Sequence, residues 1–137
     1  MEIIVKLDKP ILNIKNQPIK NITSVKNLNG SDGKPKTQEQ LMKEAEDIKV
    51  SDVLIDMIFN VTPGTNEEAA KLRRYAAKIE NAKIKESAKL VLTEDGYKEL
   101  MAMLEKSQLK NVVTVGFVID YLEDLFDQYK EKKRKGD

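Results

Sequence analysis

The sequence predicts an α+β fold: a small N-terminal β-hairpin or meander followed by a helical bundle of four to five helices. Three observations predict it. Residues 2–25 hold short β-branched runs punctuated by prolines. From about residue 37 onward, apolar residues recur at three- and four-residue steps. Helix-capping residues stand immediately ahead of those periodic runs. The chain has 137 residues, 40% hydrophobic and 34% charged. It therefore fits one domain over 1–137 and is too apolar to stay disordered.

Residues 2–7 are short, rich in β-branched side chains and bounded by Asp8-Lys9-Pro10, which predicts a strand. Ile11-Leu12-Asn13-Ile14 is a second apolar run, and Lys15-Asn16-Gln17-Pro18 suits a turn. Ile19, Ile22 and Val25 are expected to continue as a third strand or an irregular edge. Pro10 and Pro18 each remove a backbone donor, which places these segments at sheet edges. The stretch 27–37, with two glycines, a proline and almost nothing apolar, is expected to be a mobile loop.

Thr37 with Gln40 has capping-box spacing, and Leu41, Met42, Ala45 and Ile48 follow at helical intervals. Ser51 offers a second N-cap ahead of Val53, Leu54, Met57 and Ile58, so two helices breaking near Lys49-Val50 are expected, not one. Thr62-Pro63-Gly64 ends the second helix. Thr65 and Glu68 then form a second and clearer capping-box pattern, starting a helix over about 66–82 whose core face is Ala69, Leu72, Ala76 and Ile79, with Tyr75 at its flank. Lys89-Leu90-Val91-Leu92 reads as a short strand or an extended connector. Thr93 caps a helix over about 94–106 that turns Tyr97, Leu100, Met101 and Leu104 inward. The last helix, from Thr114 to about Lys133, repeats Val115, Val118, Ile119, Leu122, Leu125, Phe126 and Tyr129 against an acidic face of Asp120, Glu123, Asp124 and Asp127. A charged tail over 131–137 places cations where the helix dipole is negative.

Composition removes much chemistry. The chain has no cysteine and no histidine, which excludes Ser-His and Cys-His nucleophilic catalysis and the usual zinc ligands. Gly30 and Gly33 lack phosphate-loop spacing, and the Asn29–Gly33 stretch lacks the downstream glutamate of a calcium loop. Asp52 with Asp56, and Asp120, Asp124 and Asp127, share helix faces where a divalent cation or an acid–base pair would fit. In a chain this charged, solvated amphipathic faces account for both sets. No catalytic residue, cofactor site or metal site is assigned, and the expected protein is not an enzyme.

With a net charge of +1, only a local patch could draw in nucleic acid. Two patches qualify: Lys71, Arg73, Arg74 and Lys78 on the third helix, and Lys132, Lys133, Arg134 and Lys135 at the end. No run reaches the roughly 18 apolar residues of a membrane span. Charge at Glu2 and Lys6 comes too early for a signal-peptide core. The missing cysteines fit a reducing, cytoplasmic setting. The broad apolar stripe of the last helix either completes the domain's own core or turns partly to another copy in a homo-oligomer.

The opening Lys6-Leu7-Asp8-Lys9-Pro10-Ile11-Leu12-Asn13, followed by Asn16-Gln17-Pro18-Ile19, resembles the start of a group of short bacteriophage and prophage proteins of unassigned function. These open with a strand, a P-[IV]-L-[DN] run and a G-x-P-I turn, and their first helix resembles Val50–Ile58. Asn16 stands where that turn usually has glycine, and asparagine tolerates the left-handed backbone. The likeness covers mainly residues 1–60. It implies a phage accessory protein in the cytoplasm of a bacterial host, and it assigns no site. The expected function is therefore non-enzymatic protein–protein binding to a host or phage partner, in modulation of a host factor or in virion assembly. The alternative is nucleic-acid binding through the helix at 66–82 and the terminal lysine run.

Overall fold

A computed structural model describes residues 2–21, 24–25, 27–85 and 87–136. Among them lie five helices and four short strands, so the α+β class stands. Strand β1 (Ile3–Lys6) alternates buried and exposed residues, as period-two pleating requires of a strand with one face on a core. Its partner comes from far along the chain. β1 pairs antiparallel with β4 (Lys89–Leu92), Ile3 opposite Leu92 and Val5 opposite Leu90. All four of these side chains are buried.

The expected hairpin exists one step further on, over 11–19. Leu12 bridges Pro18, the Asn13 amide donates to the Gln17 carbonyl at 2.9 Å, and the Ile19 amide donates to the Ile11 carbonyl at 3.0 Å. Asn16 takes the left-handed conformation at φ 61° that the turn demands. A third strand is present as β2 (Lys20–Asn21); Ile22, also expected there, lies outside the described residues. The stretch 27–37 holds a small hairpin with an Asn29–Pro35 bridge. The Gly30 amide meets the Lys34 carbonyl at 2.8 Å, with Gly33 at φ 78° in the turn.

The helix break has a physical cause. Helix α1 (Gln38–Glu44) starts on a full Thr37–Gln40 capping box. After it, residues 45–49 are extended, because they serve as a pairing strip for the hairpin. β3 (Glu46–Asp47) pairs with β2, the Ile11 amide donates to the Ile48 carbonyl at 2.8 Å, and the Ile48 amide donates to the Ile19 carbonyl at 2.8 Å. Helix α2 (Val50–Phe59) then begins from Lys49, two residues before the Ser51 that the sequence suggested as its cap. Its free first-turn amides find other acceptors: Val50 donates to the Lys9 carbonyl, Ser51 to the Leu7 carbonyl, and the Lys49 amide to Asp52.

α2 is the central element, with seven of its ten residues buried. Around it pack α3 (Asn66–Lys83), α4 (Glu94–Glu105) and α5 (Thr114–Lys135). α3 buries Leu72, Tyr75, Ala76 and Ile79, while Ala69, assigned to its core face, is exposed. α4 buries Tyr97, Leu100, Met103 and Leu104, and Met101 is only half-buried. α1 buries none of its residues, so Leu41 and Met42 are not core. α5 buries Val118, Leu122 and Tyr129 and half-buries Val115, Ile119, Leu125 and Phe126. Phe126 stacks on Tyr97 at 4.5 Å between ring centres, and the Tyr97 hydroxyl donates to the Leu122 carbonyl at 3.1 Å. The expected tail at 131–137 is helical through Lys135.

Candidate partner-binding surfaces

α3 is positioned by Thr65, whose hydroxyl accepts the Glu68 amide at 3.0 Å. The Glu68 carboxylate reaches the Gly64 amide, one residue earlier than a reciprocal box requires. From that start, helical spacing puts Lys71, Arg74, Tyr75 and Lys78 on one flank, where with Glu99 of α4 they line a hollow of about 170 Å³. The cations there are not equivalent. Lys71 stands 3.6 Å from Glu99, and the Lys78 ammonium lies 5.6 Å from the Tyr75 ring centre. The Tyr75 hydroxyl donates to Glu99 at 3.0 Å. Burial, that hydrogen bond and the Glu99 charge push the phenol up to about 12. Arg73 and Arg74 are exposed and make no ion pair among the described residues.

The terminal run is largely engaged within the molecule. Lys133 pairs with Glu94 at 3.4 Å, and Arg134 and Lys135 share Glu131 at 2.8 and 3.3 Å. Glu94, hydrogen-bonded by Lys98 and facing Lys133, is held below the usual carboxylate range. Lys132 lines a separate hollow with Ile4, Leu125 and Tyr129. The two basic sets therefore line different hollows.

The carboxylates separate in the same way. Asp52 accepts the Lys49 amide at 3.0 Å and faces Lys83 at 3.5 Å, which makes it a helix cap with a counter-ion. Asp56 is exposed. Asp120, Asp124 and Asp127, joined by Glu123, line a groove of about 550 Å³ with Lys9, Leu12, Phe117 and Tyr121. Tyr121 is anchored there. Its hydroxyl accepts the Lys6 amide at 2.9 Å, Lys9 sits 5.3 Å over its ring, and burial raises its pKa. Among the described residues, no three carboxylates come close enough together to hold a metal ion, and no helix is long and apolar enough to cross a membrane.

Sequence reasoning missed this groove because Phe117 and Tyr121 fall outside the Val118–Leu122–Tyr129 stripe. Their i, i+4 spacing beside the acidic face was the available signal. It also passed over an apolar pair on the outer face of the sheet: Ile4 and Val91 stand opposite each other and are 46% and 48% exposed. The chain matches no protein-family model, no curated protein and no solved structure.

Proposed function

We propose that this chain is a non-enzymatic, cytoplasmic accessory protein of a phage or prophage that acts by binding another protein through α5. One observation carries the reading. α5 segregates its charge along its length, with Asp120, Glu123, Asp124 and Asp127 beside an aromatic groove and then five cations against the single carboxylate Glu131 over residues 130–135. Past Tyr129 every described residue of the helix is exposed. That segment adds nothing to the core, so its stability role is small and its surface is open to a partner. Charge segregated in this way steers association and fixes register more than it adds raw affinity. The phage assignment rests on the N-terminal resemblance, and the left-handed Asn16 turn is consistent with it.

Affinity capture from host cells tests the reading, comparing the native chain with Lys132→Glu/Lys135→Glu. A specific protein recovered by the first and lost by the second is expected. Recovery of the same proteins by both would remove α5 as the binding surface.

Nucleic-acid binding is the second reading, and Arg73 and Arg74 favour it because they keep no carboxylate partner among the described residues. Against it, Lys71 and Lys133 already face carboxylates, so a phosphate must compete for them. Anisotropy of labelled duplex and single strands over a salt series decides it. A steep fall with salt that Arg73→Glu/Arg74→Glu abolishes would establish this reading in place of the first.

A further inference from the structure

We propose that α5 pairs two copies of this chain antiparallel about a two-fold axis near Gln128, the basic end of each helix lying in the acidic, aromatic groove of the other. The inference rests on the protein-binding reading and names its partner. The inner stripe of α5 is occupied by its own core, where Val118, Leu122 and Tyr129 are buried. Pairing therefore falls on the adjoining flank, beside β1, where helical spacing aligns Phe117, Tyr121, Asp124, Gln128, Lys132 and Lys135.

The spacing along that flank is self-complementary. The acidic segment 120–127 and the basic segment 130–135 have centres about nine residues apart, about 14 Å along the axis. A two-fold through the midpoint, at uncharged and exposed Gln128, seats both basic ends at once, as an isologous interface requires. Lys132 of the second copy then meets Asp124, and Lys135 of the second copy meets Tyr121 and Asp120. Those contacts set cations against a groove in which Asp120, Glu123, Asp124 and Asp127 outnumber its own cation, Lys9. Lys135 and Arg134 share the one Glu131 carboxylate within their own helix, so positive charge is left over for the second copy. A groove of about 550 Å³ accommodates side chains of this size.

Sedimentation of the full chain across a concentration series, at low and high salt, reads the mass. A two-chain mass that reverts to one chain in high salt is expected, with association weakened about tenfold or more by screening. Lys132→Glu/Lys135→Glu and Asp120→Lys/Asp124→Lys should each remain single at low salt, and an equimolar mixture of the two should regain the two-chain mass. Circular dichroism confirms that both variants fold, and if either does not, the salt dependence of the native chain decides alone. A single-chain mass at every concentration and salt overturns the proposal. So does pairing that survives either reversal, or a mixture that stays single. A chain that stays single yet shifts a labelled duplex overturns it in favour of phosphate binding. If the chain stays single but still loses a captured protein on the Lys132→Glu/Lys135→Glu change, only the self-pairing fails and the protein-binding reading survives.

Discussion

Replacing Tyr75 by phenylalanine should change the pH dependence of stability more than stability itself. Tyr75 is only 9% exposed, and its hydroxyl donates to Glu99 at 3.0 Å. At neutral pH the substitution removes one hydrogen bond to an exposed carboxylate, a loss of about 1 kcal/mol. At high pH that advantage is lost. The folded phenol is raised to about 12 by burial first, then by the Glu99 hydrogen bond and charge. The unfolded phenol ionises near 10. Between those values the unfolded chain releases a proton that the native chain keeps, so native stability falls as pH rises through the window. At about 1.4 kcal/mol per pH unit the full loss approaches 3 kcal/mol, and the exposure of Glu99 reduces it to about 1–2. Phenylalanine has no such loss, so the native advantage shrinks above pH 10 and disappears by about pH 12. Urea unfolding of both proteins across that range measures the difference, and the lysines common to both cancel in the subtraction. Ultraviolet titration of the four tyrosines gives an independent check. A stability difference constant across the window, or four phenols titrating together near 10, would refute the reasoning.

Leu122 is fully buried in α5. Leu122→Ala should therefore cost about 2–5 kcal/mol in denaturant unfolding, and a loss below about 1 kcal/mol would show that α5 does not pack as described. Asn16 holds φ 61°. Asn16→Gly should leave the melting temperature almost unchanged, while Asn16→Val should cost about 1–2 kcal/mol; equal effects would contradict the left-handed turn. Thr65→Ala removes the acceptor for the Glu68 amide and should destabilise by about 1 kcal/mol, with Thr65→Ser recovering most of it.

Periodicity carried most of the helical architecture. The inner faces of α3, α4 and α5 were legible as stripes because each of these helices is amphipathic against one core. The caps at Thr37, Thr65 and Thr93 were legible because hydroxyl capping is local chemistry. The partner of β1 was not legible. Register between residues 3–6 and 89–92 is set by contacts remote in sequence, and four-residue strands carry too short a pattern to announce it. The start of α2 was misplaced at Ser51 because the acceptors for its first amides are the carbonyls of Leu7 and Lys9, tertiary partners with no local signature. α1 reads as amphipathic yet buries nothing, because seven residues give its apolar positions too short a face to reach the core. Ala88 holds a positive φ of 43° that nothing in its type suggests; the turn from Lys85 imposes it, so that its carbonyl meets the Leu7 amide at 2.8 Å. The candidate surface was half legible. Its charges stood in the sequence, whereas the groove needed Lys9 and Leu12 from the opposite end of the chain.

The central claim, that α5 is the surface that meets a protein, is tested most directly by placing a photoreactive amino acid at position 124 and, separately, at position 73, then irradiating living host cells. The account predicts a protein adduct from position 124, another copy of the chain among its products, which disappears when Lys132 and Lys135 are reversed to glutamate. Adducts confined to position 73 and made of nucleic acid would contradict it.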